Sequence, residues 1–161
     1  MAAVTAFACS PQPGSSALAS PSPSVSAIVL TSGCGSTPIF KGGAPGWAHQ
    51  LEGTSTYQEF VPYVLAAPAT VIGFLYGYPL RAGHPENPSN KILWLVNLPP
   101  RAGSLDISAH PVGAPAPIVN QSAAFLTSGD VPSIIDLPQS GCWHFDLTWS
   151  GHHAGMDIAY Q

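Results

Sequence analysis

Charge is what this sequence has least of. Of 161 residues, four are Lys or Arg and eight are Asp or Glu, for a formal net charge of −4. The four basic residues, Lys41, Arg81, Lys91 and Arg101, are widely spaced. No patch can neutralise a row of phosphates, which argues against nucleic acid as a partner. Glu, Lys and Arg also supply most exposed helix positions, so their scarcity argues against a helical fold. No apolar run approaches about 20 residues, the length a membrane-spanning helix needs. There is no Gly-x-Ser-x-Gly elbow, no Cys–His pair of a known catalytic type and no phosphate-binding glycine loop.

What the chain does have is punctuation. Sixteen glycines and 18 prolines separate short runs of Ser, Thr, Val, Ile and aromatics. Such runs read as strands joined by turns, hence an all-β fold. The length suits one domain plus tails. The last twenty residues show the pattern best. Trp143, Phe145, Leu147 and Trp149 alternate with His144, Asp146 and Thr148, the period of a half-buried strand. After Ser150-Gly151-His152-His153, a second run carries Met156, Ile158 and Tyr160 on its apolar face. A four-residue loop over 150–153 predicts an antiparallel hairpin with Leu147 opposite Met156, Phe145 opposite Ile158 and Trp143 opposite Tyr160. The same register sets Asp146 opposite Asp157, an unfavourable pair that calls for a nearby cation, solvation or a displaced register.

In chain order, residues 1–9 read as the tail of a signal segment. Ala6-Phe-Ala-Cys9 matches a loose lipobox, in which Cys9 would carry lipid. Residues 10–26 are almost wholly Ser, Pro, Ala and Gly and bury too little to offset their ordering entropy, so they read as a disordered tether. The domain is expected over 27–161. Strands are expected over 27–31, 60–65, 70–78, 91–98, 104–109, 116–119, 123–126, 131–137 and the closing hairpin. Residues 41–56 read as a loop in which Trp47 either covers one end of the core or makes an exposed contact. The count, about seven to nine strands, suits a two-sheet antiparallel sandwich of immunoglobulin type.

Three cysteines leave one over after a single bridge. Cys34 stands near the start of the domain and Cys142 opens the closing hairpin, so they form the natural disulfide. Two free thiols in a reducing compartment are the alternative.

Cys34-Gly-Ser-Thr37-Pro38, and Pro138-Gln-Ser-Gly141-Cys142-Trp143 before an alternating hairpin, carry a resemblance. With the lipobox and the Ser/Pro tether, the chain resembles a loose group of uncharacterised bacterial lipoprotein-like proteins over roughly residues 32–160. The resemblance implies an extracytoplasmic, immunoglobulin-like sandwich with a disulfide. It brings no activity.

Two constellations could carry chemistry. His152 and His153 sit at the hairpin tip near Met156, and His144, Asp146 and Asp157 share one face of the hairpin. Imidazole with thioether would suit copper, and imidazole with carboxylate zinc. Strand alternation separates these groups, so they cannot all hold one ion, and solvated tip histidines are the plain alternative. The polar loop 79–90 offers Arg81, His84 and Glu86, which with Trp47 could bind a protein or a glycan. Alternatively Arg81 and Glu86 pair within a proline-pinned connection. Serines, histidines and acids are numerous enough for a triad, but nothing in their spacing marks one. The expectation is a non-enzymatic envelope domain, binding or structural, outside the cytoplasm, with no cofactor and with lipid on Cys9 holding it to the membrane. A metal-binding envelope protein and a small secreted hydrolase are the alternatives.

Overall fold

The computed structural model describes residues 26–52, 60–99 and 103–161. The signal-like segment, Cys9 and all of the tether but Ser26 lie outside them. The strands are β1 (Ile28–Cys34), β2 (Thr37–Lys41), β3 (Tyr63–Leu65), β4 (Val71–Leu75), β5 (Lys91–Val96), β6 (Ser104–Pro111), β7 (Val119–Ala124), β8 (Asp130–Ile134), β9 (Gly141–Trp149) and β10 (His152–Tyr160), with one helix, α1 (Gly46–Glu52). They form two antiparallel sheets, β1-β2-β3-β4-β5-β8 and β10-β9-β6-β7. The all-β sandwich expected from the sequence is the fold. Its six-and-four division differs from the four-and-three of constant-type immunoglobulin domains.

Alternation sorts the side chains. Val71 and Leu75 of β4 and Ile92, Trp94 and Val96 of β5 meet Leu105 and Ile107 of β6 and Trp143, Phe145, Leu147 and Trp149 of β9 in the main core. The Trp94 ring lies over Gly73, its cross-strand partner. Its indole Nε1 donates to Ser133 Oγ at 2.8 Å, so the polar edge of a fully buried ring is satisfied. The other face of the six-stranded sheet is apolar as well. Tyr63, Ile72, Phe74 and Leu95 form a second cluster there with Ala48 of α1, and Trp47 packs half-buried against it. That double burial is why β4 and β5 are apolar on both faces.

Several local expectations change. Of the loop expected over 41–56, residues 53–56 lie outside the described residues, and the rest holds a short helix, begun where the Ala48 amide donates to the Pro45 carbonyl at 2.8 Å. Thr37–Lys41 is a strand, with Thr37 and Ile39 buried; Pro38 and the preceding turn residues hid that alternation. The pieces expected over 116–119 and 123–126 are one strand, β7. The closing hairpin has a different register. Met156 lies opposite Phe145, Ile158 opposite Trp143 and Ala154 opposite Leu147. Ser150 (φ 44°) and Gly151 (φ 81°) alone make the turn, the two-residue form with both central φ positive that matches strand twist. A shift of two keeps the apolar faces inward, and it moves Asp157 from Asp146 to His144.

The sheets are tied along one side. The Cys34–Cys142 disulfide joins β1 to β9 across a sequence separation of 108, with Cα atoms 5.6 Å apart. Ala67 and Gly155 exchange two backbone hydrogen bonds, of 2.7 and 3.0 Å, which attach the β3–β4 connection to β10.

Two outcomes follow from this packing. A Cβ on Gly73 would sit 2.8 Å from Trp94 Cζ3, so Gly73→Ala should lose about 1–3 kcal/mol by overpacking. Urea unfolding followed by tryptophan fluorescence reads it, and an unchanged midpoint would show that the ring is free to move. The Cys34→Ser/Cys142→Ser variant should lose about 2–5 kcal/mol in the same assay, because its unfolded chain is no longer cross-linked.

Candidate functional site

The polar face of the four-stranded sheet is built by exclusion. The inward positions of β6, β9 and β10 are apolar apart from His152 at the start of β10, so His110, Ser108 and Asp106 of β6, His144, Asp146 and Thr148 of β9, and His153, Gly155 and Asp157 of β10 point outward. Register then makes neighbours of residues far apart in sequence. His110 lies opposite His144, Ser108 opposite Asp146, and Asp106 opposite Thr148. On the other side of β9, Asp157 faces His144 and Gly155 faces Asp146.

His144 is the hub. Its Nδ1 lies 2.7 Å from Asp157 Oδ1, and its Nε2 lies 3.5 Å from Asp146 Oδ1. The imidazole of His110 stands 5.4 Å away, centroid to centroid, with its Nε2 3.9 Å from Asp146 Oδ2. Its Nδ1 lies 3.1 Å from the carbonyl oxygens of both Pro111 and Ala114. Carbonyls only accept, so that nitrogen carries the proton. Asp157 is held from its other side by the β1–β2 turn. The Ser36 amide donates to Oδ2 at 2.9 Å, and the Asp157 amide donates to Thr37 Oγ1 at 2.8 Å. Burial pushes the Asp157 carboxyl up, but the hydrogen bonds from His144 and Ser36 and the His144 charge outweigh it. The carboxyl therefore titrates below its ordinary range.

Two shallow depressions flank this cluster. One, of about 310 Å³, is lined by Asp106, Ser108, Asn120, Ser122, Asp146 and Thr148. The other, of about 320 Å³, includes Ser36, Thr37, His144, His153, Gly155 and Asp157. Ser122 and Ser104 donate to Asp106 Oδ1 at 2.6 and 3.1 Å, so that carboxylate is already oriented. Hydroxyls, amides and carboxylates along these depressions suit a ligand recognised through hydrogen bonds.

The expected hairpin-tip site does not assemble. His152 and His153 are successive strand residues and point to opposite sides. The His152 ring lies 5.5 Å from that of Trp149, with Nε2 3.3 Å from the Pro99 carbonyl. His153 is exposed opposite Thr148, and Met156 is buried in the core. Among the described residues, no three His, Cys, Asp or Glu side chains are gathered about a point where an ion could sit.

The 79–90 loop is pinned, but not by an Arg81–Glu86 pair. All four ion pairs among the described residues have histidine as their cation. Buried Asn90 closes the loop. It accepts from the Arg81 amide at 2.9 Å and donates to the Arg81 carbonyl and to Asp136 at 2.8 and 2.9 Å. His84 meets Asp136 at 2.8 Å, while Arg81 and Glu86 are exposed. Trp47 is on the opposite, helix-covered side of the sandwich. Loop, helix and polar face are thus three separate surfaces.

The cluster is not arranged for nucleophilic hydrolysis. A triad needs a nucleophile on the ring nitrogen opposite the orienting acid. His144 has Asp157 against one nitrogen and Asp146 near the other, and the Ser36 hydroxyl touches Asp157, at 3.5 Å.

Sequence reading missed His110 and Ser36. Extending the Asp106, Ser108 alternation by one pair of residues would have put His110 outward. Its meeting with His144 depends on the β6–β9 register.

No family model and no curated protein sequence matches this chain. Among solved structures it is similar to the X-ray crystal structure of a putative lipoprotein from Bacillus anthracis. Identity is 18% and the TM-score 0.44, over 73% of this chain and 96% of that one.

The lowered Asp157 carboxyl has a signed consequence. Its stabilisation is fully present above the unfolded value of about 3.9 and is lost as pH falls through the lower folded value. Urea midpoints measured from pH 6 down to pH 2 should show a steep acid limb in the native chain and a shallower one in Asp157→Asn. Parallel limbs would mean that other carboxylates dominate acid unfolding.

Proposed function

We propose that this chain is an extracytoplasmic envelope domain whose role is binding rather than catalysis, with the open face of the four-stranded sheet as its ligand surface. The observation that carries this is the asymmetry between the two sheets. The six-stranded sheet packs one face in the core and has the middle of its other face, over β3–β5, covered by α1. The four-stranded sheet leaves its outer face open, polar and lined by oriented side chains. Antiparallel sheets tolerate water on one face, but solvation alone does not require the ordered set Ser104–Asp106–Ser122 or Ser36–Asp157–His144.

Location outside the cytoplasm is supported by the disulfide, since such bridges persist where the compartment is oxidising. The composition of residues 10–26 fits a spacer between a lipid-bearing Cys9 and the domain. Beside the second nitrogen of His144 stands the Asp146 carboxylate rather than a hydroxyl or thiol, which favours binding over hydrolysis. The ligand class is one reached through hydrogen bonds, and a glycan fits the hydroxyl- and amide-lined depression best.

Sedimentation of purified, unlipidated chain with envelopes of the organism that makes it provides the test. The native chain should pellet with envelopes. Asn120→Arg/Ser122→Arg, which fills the depression from two exposed positions, should bind at least about tenfold more weakly, given that packing and lost hydrogen bonds are each worth a kcal/mol or more. Ile134→Arg on the β8 edge should bind as the native chain does. A native chain left in the supernatant, or equal pelleting of all three, would sink the reading. In intact cells Cys34 and Cys142 should resist alkylation until a reductant is added; immediate labelling would place the domain in a reducing compartment.

A further inference from the structure

We infer that the free edge of β7 is a docking site for an extended segment of another protein. The segment joins the four-stranded sheet as its next strand, with apolar side chains turned toward β8 and Lys or Arg turned outward. The inference goes beyond the open-face reading: the backbone edge and the seam between the sheets carry it, and its test contains no envelope.

The sheet edges differ in how they are protected. An edge strand presents a row of N–H and C=O groups, and folds blunt such rows with bulges, proline, charge or cover. β1 carries two register shifts against β2. β10 is covered: Gly155 exchanges two backbone bonds with Ala67, the Asp157 amide donates to Thr37 Oγ1, and the Gln161 amide donates to the Leu80 carbonyl. Beside β8, the Ile135 amide donates to the Asn90 carbonyl at 3.1 Å, so the even-numbered residues of β8 face away from β5. Pro132 thus removes a donor from that edge, and the Asp130 carbonyl is taken by the Leu126 amide at 2.9 Å.

β7 has none of these devices. Val119–Ala124 is uncharged and free of proline, stands last in its sheet, and pairs with β6 along its whole length without a shift. The Phe125 amide donates to the Gly103 carbonyl at 3.2 Å. In that register the odd-numbered residues bond to β6, and the N–H and C=O groups of Asn120, Ser122 and Ala124 face the free side. An extended chain offers the matching row of acceptors and donors.

The seam between the sheets supplies the side-chain pocket. A depression of about 490 Å³ is lined by Gln121 of β7, Pro132, Ser133 and Ile134 of β8, and Lys91 of β5. Side chains of an added strand alternate between its two faces. Those on the inner face, beside Gln121, come over this depression. Pro132 and the exposed Ile134 suit an apolar group there, and Lys91 opposes a second cation. Those on the outer face stand beside Asn120 and Ser122. Ser122 Oγ donates to Asp106 Oδ1 at 2.6 Å, so a Lys or Arg beside Ser122 meets a carboxylate within side-chain reach. A second copy of β7 fits less well. Paired about Ser122, it would set Ala123 opposite Gln121, leave the depression unfilled and bring no cation to Asp106.

The test selects short random peptides, displayed on phage, for binding to the full-length oxidised chain. Recovered sequences should alternate apolar residues with Lys or Arg. A synthetic peptide of the recovered consensus should slow hydrogen exchange at the amides of Asn120, Ser122 and Ala124, read by NMR. Asn120→Pro leaves the β6 pairing intact but replaces an edge donor with a ring in the path of the added strand. It should bind the peptide at least about tenfold more weakly. Asn120→Ala, which keeps the N–H, should bind as the native chain does. Circular dichroism checks each fold, and Ala124→Pro decides if Asn120→Pro does not fold. No enriched sequence, recovered peptides without alternation, unprotected edge amides, or equal binding by Asn120→Pro each overturn the site. A dimer in sedimentation equilibrium that protects the same amides with no peptide added overturns the occupant.

Discussion

The row Trp143, Phe145, Leu147 and Trp149 has to leave water, and the rest of the molecule is arranged around how it does so. Phe145 meets Trp94 of the opposite sheet at 6.2 Å between ring centroids and Tyr160 of β10 at 6.3 Å. Burying each large side chain is worth roughly 1.5–3 kcal/mol, so a register that exposed this row would forfeit most of the core. Because strand side chains alternate, confining the row inward forces His144, Asp146 and Thr148 outward. The polar face is thus a consequence of the core.

Closure of the sandwich then brings distant segments to that face. The disulfide pins β1 to β9, and the β1–β2 turn consequently lies against β10, where Ser36 and Thr37 reach Asp157. The Ala67–Gly155 bridge holds the same side of the molecule. Two carboxylates that could have repelled each other are separated by an imidazole. This arrangement makes the electrostatics of the face depend on histidine, the only cation in any ion pair among the described residues. With so few charges in the chain, a ligand at that face would meet placed hydrogen-bond groups rather than a strong field.

The two sheets divide the work. β4 and β5 are apolar on both faces because the core takes one face and α1 supplies cover on the other. The helix was not legible, because seven residues in a Gly/Pro-rich stretch carry too short a period to stand out. The hydrogen-bonded pins of the 79–90 loop were equally hidden: Asn90 meets Asp136 across 46 residues, and no local pattern encodes that contact. The polar character of the loop was legible; the exchange of an Arg81–Glu86 pair for His84–Asp136 was not.

Period-two alternation by itself determined which residues face the core and which face out, and so placed His144, Asp146 and Asp157 on one side of one hairpin. Composition determined the all-β class, and the position of two cysteines singled out the bridge. Which outward residues actually meet was decided only by tertiary structure. A strand shifted by two residues keeps its apolar face inward, so the pattern cannot tell Asp157 opposite Asp146 from Asp157 opposite His144. The turn at Ser150-Gly151 makes that choice. Likewise His110 joins His144 because β6 pairs with β9 in a particular register, a long-range contact set by packing across the whole core.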